Sequence, residues 1–180
     1  MATTAALAQH AAAVVAKLED PDESLRQAAV KTLGKLEPAA LALHEAVIVA
    51  KLDHTESGVR QAALQALGKL EPAVLAGHAA AVVGKLEDSD DIVRFGAVKT
   101  LGKLEPAILA GHADAIVGML EDPDGGVRCA AVVALSKLEP AAFAPHEAAI
   151  LDMLEDEEYY VREAADATLD KLQAAAALAE

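Results

Sequence analysis

Arg26, Arg60, Arg94, Arg128 and Arg162 stand 34 residues apart, and the residues around each arginine return with it. The stretch from Leu25 to Pro38, with Arg26, Ala28, Ala29, Leu33, Gly34, Lys35 and Leu36 inside it, recurs slightly altered down the chain. A fixed period between 20 and 50 residues is the signature of a solenoid or array, whose units cannot bury their apolar sides alone and must stack on their neighbours. The spacing predicts about five units, at roughly 4–37, 38–71, 72–105, 106–139 and 140–180, forming one domain over 1–180.

Each unit reads as two helices and a spur. In the second unit Glu37 and Pro38 punctuate, Ala39 to Ala42 supply about one helical turn, and His44 to Leu52 form an apolar-periodic helix A. An acidic turn from Asp53 to Ser57 leads to helix B, predicted from about Gly58 to Leu70. Gly77, Gly111 and Pro145, each just before a histidine, favour a boundary between spur and helix A. At 100° per residue Leu25, Ala28, Ala29, Thr32, Leu33 and Leu36 share one side of helix B, which is the predicted core side. Ser24, Gln27 and Lys31 lie opposite, and these are the columns that change between units.

Gly34, Gly68 and Gly102 fall inside the predicted helix B, where glycine costs about 1 kcal/mol against alanine, so their recurrence points to close packing. In the last unit Asp166 replaces Val30, Leu64, Val98 and Val132 of the others, and Asp170 replaces the glycine, as a C-terminal cap requires. The first unit keeps the internal pattern at Leu7, Val14, Val15 and Leu18, and reads as uncapped.

The chain is 54% hydrophobic but only 2% aromatic, which suits closely packed helices and no strands. Its net charge of -14 argues against duplex nucleic acid and anionic membranes, since both demand clustered Lys and Arg. Cationic or apolar partners remain compatible. Cys129 is the sole cysteine, so no intrachain disulfide forms. The first residues lack the basic segment of a leader, and no apolar run approaches a membrane span, so a cytoplasmic location is expected.

The pairing of Asp20-Pro21 with Leu25-Arg26, Ala28-Ala29 and Leu33-Gly34 resembles the HEAT-repeat signature, and all five units match it. In length and pattern the chain is similar to the HEAT-like repeats of phycobilisome lyases and to artificial HEAT-like binding scaffolds. The resemblance implies an all-α, right-handed α-solenoid whose B helices line a concave face, and a function of holding another protein. It also implies a ladder between neighbouring repeats, with Asp20, Asp88, Asp122 and Asp156 on one side and Arg26, Arg60, Arg94, Arg128 and Arg162 on the other. His54 stands in place of the second aspartate and leaves that rung open.

The regularly spaced His10, His44, His78, His112 and His146 do not make a metal site, because helices in contact lie about 8 to 10 Å apart whereas zinc holds nitrogen at about 2 Å. A structural role at the start of helix A, bonded to the neighbouring turn, is expected of them. Asp122-Pro123-Asp124 resembles the opening of a calcium loop, but Val133 stands where a bidentate Glu is required. No nucleophile or phosphate-loop motif occurs, so no enzyme activity and no cofactor are expected.

The changing stripe is the candidate contact surface. Its apolar members cluster in the later units as Ile92, Phe95, Cys129, Val133 and Tyr160, with Lys99 in the same stripe and Tyr159 beside them, while Phe143 occupies a leucine core column. Exposed apolar patches mark contacts. The sequence therefore predicts a non-enzymatic scaffold, monomeric, presenting helix-B side chains to a protein or peptide. Two alternatives stand beside it: self-association through the uncapped first unit or the apolar patch, and an artificial or consensus-derived scaffold without a natural partner.

Overall fold

A computed structural model describes residues 4–177 of the chain. The readings that touch residues 1–3 and 178–180, and the Leu7 side chain, lie outside what it describes. All regular elements among the described residues are helical. They fall into two compact units, residues 1–100 and 101–180.

The first unit runs α1 (Thr4–Ala16), α2 (Glu23–Leu33), α3 (Pro38–Ala42), α4 (Glu45–Ala50), α5 (Ser57–Leu67), α6 (Pro72–Ala76), α7 (Ala79–Val83) and α8 (Asp91–Leu101), the last residue of which belongs to the second unit. The second contains α9 (Pro106–Ala110), α10 (Ala113–Val117), α11 (Gly125–Leu135), α12 (Pro140–Phe143), α13 (Glu147–Asp152) and α14 (Tyr159–Ala177). The predicted spur, helix A and helix B therefore recur as α3, α4 and α5, and again as α9, α10 and α11.

Local chemistry sets these boundaries. Pro38, Pro72, Pro106 and Pro140 each open a spur at the first helical turn, where a missing N–H costs nothing. Gly77 and Gly111 end their spurs, as the boundary reading expected. Helix A is shorter than predicted, because after Ala50 the backbone tightens to a 3₁₀ turn over Lys51–Asp53 that leads into the acidic turn. Helix B starts under a side-chain cap in α2, where Asp22 accepts from the Ser24 N–H at 2.8 Å, and in α11, where Asp124 accepts from Val127 at 3.0 Å.

Leu33, Leu41, Ile48, Leu64 and Leu67 are fully buried in the first unit, and Leu109, Ile116, Leu135 and Ile150 in the second. Phe143 is buried too, in the leucine column to which its spacing assigned it. Two members of the predicted core side depart from this pattern. Leu25 is 44% exposed and Ala28 is exposed, although their counterparts Val59 and Ala62 are sealed. The reason is visible one turn of the pattern later: that flank of a B helix packs on the B helix before it. The Thr100 hydroxyl of α8 donates to the Leu64 carbonyl of α5 at 3.1 Å, and a Cβ on Gly96 would meet Leu64 Cδ1 at 3.3 Å. α2 is the first B helix described, so its corresponding flank faces outward. At the other extreme Asp166 is exposed where Leu64, Val98 and Val132 are buried, and Asp170, in the glycine column, is exposed as well.

Of the recurring glycines, Gly34 needs a different account from the expected one. Gly34 and Gly68 sit just past the ends of α2 and α5, in ordinary right-handed backbone. A Cβ on Gly34 would meet Gln65 Oε1 at 3.6 Å, an ordinary contact, so crowding does not exclude a side chain there. What recurs at this position is a carbonyl clamp. Lys69 Nζ donates to the Gly34 and Leu36 carbonyls at 2.6 and 3.1 Å, and in the second unit Lys137 donates to Gly102 and Lys171 to Ser136, at 2.6 Å for the latter. Each lysine thus satisfies orphan carbonyls at the C-terminus of the preceding B helix and meets the negative end of its dipole. Lys69→Met should lower unfolding stability by about 1 kcal/mol, whereas Lys35→Met, at an exposed lysine outside this clamp, should leave it within about 0.5 kcal/mol, as read by urea denaturation.

Candidate functional site

The arginine column is the most regular polar feature of the structure. Arg60 Nε and Nη2 clasp both oxygens of Asp88 at 2.8 and 2.7 Å, and Arg128 clasps Asp156 in the same way at 2.8 and 2.9 Å. The remaining nitrogen, Nη1, donates to the turn preceding its own helix: to His54 and Thr55 carbonyls from Arg60, and to Asp122 and Pro123 carbonyls from Arg128. Arg94 and Arg162 make the same turn contact, to the Asp88 carbonyl at 3.0 Å and the Asp156 carbonyl at 2.5 Å. Each aspartate also accepts a backbone N–H two residues on, Asp88 from Asp90, Asp122 from Asp124 and Asp156 from Glu158. One side chain therefore shapes its own turn and binds the neighbouring repeat.

The open rung has a specific geometry. His54 Nδ1 accepts the Glu56 N–H at 3.1 Å, which reproduces the turn-shaping half of an aspartate but offers no second oxygen. Arg26 still donates through Nη1 to the Asp20 and Pro21 carbonyls, and its Nη2 reaches Glu56 at 2.6 Å instead. Its Nε is buried without a partner. Asp20, at the start of the column, pairs with Lys17 at 2.7 Å.

These contacts set carboxyl acidity. The Arg128 hydrogen bonds hold Asp156 below the usual carboxylate range, against a smaller opposing effect of burial. For Asp88 burial pushes upward most strongly, but the Arg60 bonds, the Asp90 N–H and the nearby positive charges together outweigh it, and its carboxyl is also lowered. His44, His78, His112 and His146 stand at the start of their A helices as expected, but the partner differs from the expected turn for His78 and His146. His78 Nε2 lies 3.5 Å from Glu45 and His146 Nε2 lies 4.0 Å from Asp114, so each faces an acid at the start of the preceding helix A rather than the neighbouring turn.

The proposed contact residues divide between the units. In the first, Ile92 is 51% exposed on α8, Phe95 is half-buried, and Lys99 Nζ lies 5.2 Å from the Phe95 ring centroid. In the second, Val133 is 47% and Tyr159 68% exposed, while Cys129 and Tyr160 are half-buried. Tyr159 and Tyr160 pack edge to face at 5.5 Å, and the Cys129 thiol points at the Tyr160 carbonyl at 3.8 Å. Burial pushes the Cys129 thiol up, which disfavours a nucleophilic thiolate. Tyr160 also has a packing role: a Cβ on Gly125 would lie 2.5 Å from its Oη and 2.8 Å from Glu158 Cγ, so the absence of a side chain at Gly125 seats both.

One feature of the stripe escaped the sequence reading. Between the first turns of α2 and α5 opens a groove of about 560 Å³, lined by Glu23, Arg26, Gln27, Val30, Glu56, Ser57, Gly58 and Val59. Nothing stands within 4 Å of where a Gly58 Cβ would be, and that glycine at a helix start was the available signal.

Helices stacked at a fixed period with polar clasps between them define an all-α solenoid. The chain belongs to the HEAT-repeat family, whose model matches residues 11–82 and 79–170. Among solved structures it is similar to a designed armadillo repeat protein in complex with the peptide (KR)4, at 20% identity over 93% of this chain and 82% of that one, with a TM-score of 0.74. It is also similar to an engineered protein at 18% identity, covering 96% and 85% of the two chains with a TM-score of 0.72. A third likeness, at 18% identity over 89% and 98% and a TM-score of 0.68, is to the complex of CpcE and CpcF of phycocyanin lyase from Nostoc sp. PCC7120. A comparison with curated proteins finds no match. No helix among the described residues is long and apolar enough to cross a membrane.

Because the Arg128 and Asp156 side chains are only 9% and 6% exposed, Asp156→Ala should cost about 3 kcal/mol, while Glu56→Ala, at a 43% exposed partner, should cost below about 1 kcal/mol in the same denaturation assay. Conversely His54→Asp should complete the clasp on Arg26 and raise stability by about 1 to 2 kcal/mol. Lowered carboxyl pKa values stabilise the fold above the unfolded value of about 4, and that contribution disappears as pH falls through the folded values. The thermal midpoint by circular dichroism should therefore drop below about pH 4, and less steeply in Asp156→Asn.

Proposed function

We propose that this HEAT-repeat chain is a non-enzymatic scaffold that holds a protein or peptide against a concave surface presenting its helix-B side chains. The observation that carries this reading is the placement of large apolar side chains on a surface otherwise built of Gln, Lys and small residues. Ile92 and Phe95 supply them in the first unit, Val133, Tyr159 and Tyr160 in the second. Aromatic anchors with a polar surround are what a contact surface uses for affinity, whereas catalysis would need convergent acid, base or nucleophile, and the one thiol is held protonated by burial. The (KR)4 peptide on a structurally similar designed repeat protein supports a peptide as the occupant. The chain's charge of -14 supports a partner that is cationic at its edges.

A second reading, self-association, is favoured by the outward flank of α2, where Leu25 and Ala28 are exposed. Light scattering over a concentration series separates the two, since a monomer at high concentration removes self-association. For the scaffold reading, Ile92→Ser combined with Phe95→Ala should leave the helical signal and thermal midpoint unchanged yet reduce partner recovery in a pulldown at least about tenfold. Unchanged recovery would remove the α8 face from the site.

A further inference from the structure

The aromatic side chains on the two B-helix faces differ in one respect. In the first unit Phe95 already has a cation of its own, since Lys99 Nζ stands 5.2 Å from its ring centroid. In the second unit, among the described residues, neither tyrosine ring carries such a cation. Yet the ground around that pair is acidic. Glu158 shares the Gly125 seat with Tyr160, Glu158 and Asp124 act electrostatically on the Tyr160 hydroxyl against the opposing charge of Arg128, and Glu163 is exposed three residues further along α14. Arg128, the cation that acts on the Tyr160 hydroxyl, is bound to Asp156 and Glu157, and Arg162 of the same helix as Tyr160 donates to the Asp156 and Glu157 carbonyls.

Resting on the scaffold reading above, we infer that the α11 and α14 face of the second unit binds an arginine-bearing segment of its partner, with a guanidinium stacked on the Tyr159–Tyr160 pair and hydrogen-bonded to the flanking carboxylates. An edge-to-face aromatic pair with Tyr159 exposed offers an electron-rich ring face, to which a cation is drawn more strongly as the site becomes drier. Arginine suits it better than lysine. Its planar fork stacks on a ring while its edge meets a carboxylate in two hydrogen bonds, and it is less hydrated than an ammonium. Gly125 contributes by geometry, because any side chain there would displace both Tyr160 and Glu158.

The chain carries its own probe for this site: it has no tryptophan, and its two tyrosines are the pair in question. Full-length protein is titrated with a capped, fluorescein-labelled octapeptide of alternating arginine and alanine, and with lysine and glutamate counterparts, reading peptide anisotropy. A parallel titration with unlabelled peptide reads tyrosine emission. The expected result is saturable binding of the arginine peptide with a matching change in tyrosine emission, at least about threefold weaker binding of the lysine peptide, and none of the glutamate peptide. Tyr159→Ala and Glu163→Gln, checked for unchanged circular dichroism, should each weaken the arginine peptide about five- to tenfold. Equal affinity for lysine and arginine would reduce the effect to bulk charge and overturn the assignment, as would undiminished binding to Tyr159→Ala. Gly125→Ala should weaken the arginine peptide as well, and if it fails to fold the Tyr159 variant still decides the question, because that residue is 68% exposed. An arginine peptide that does not bind, beside a partner pulldown that depends on Ile92 and Phe95, defeats this inference alone; failure of both defeats the scaffold reading.

Discussion

Most helices here are too short to persist in water by themselves, since spurs of four or five residues and A helices of five or six lie far below the length at which isolated helices hold. They exist because each lays a strip of Leu, Ile and Val against the next layer. Every B helix has two flanks, one for the layer before and one for the layer after, and the side chains follow that division. Val59 and Val93 are sealed on one flank, Leu64 and Val98 on the other. In the first and last B helices described, the same columns are exposed, as at Leu25, or acidic, as at Asp166.

Polar clasps then fix how the layers sit. The Arg–Asp pairs and the lysine clamp act at opposite ends of the B helices. Arginine binds the turn before the helix and an aspartate one repeat on, and lysine closes the carbonyl end of the helix one repeat back. Apolar layers slide easily; directional bonds at both ends resist that. The His54 rung illustrates the distinction, because its turn is kept by an imidazole nitrogen while the bidentate bond to Arg26 is lost.

The proposed contact surface is what this division leaves over. Residues on neither packing flank are free to vary, and in the second unit the variation has produced paired tyrosines seated by a glycine and flanked by acids. The groove beside Gly58 in the first unit arises in the same way, from the lack of a side chain on the outer stripe.

Period, helix type, spur boundaries and most core columns were legible from the residues alone, because 34-residue spacing, prolines at helix starts and 3.6-residue apolar periodicity are local rules that each repeat obeys independently. The Arg–Asp pairing was reachable by family resemblance and not from spacing. What only the tertiary structure decided depends on neighbours: that Leu25 faces outward, that Gly34 marks a lysine clamp and not a crowded helix, that His78 and His146 face acids of the preceding helix A, and that Tyr160 rests on Gly125. A single repeat contains no information about which side chain one repeat away will complete its hydrogen bonds, so those facts appear only once the layers are stacked.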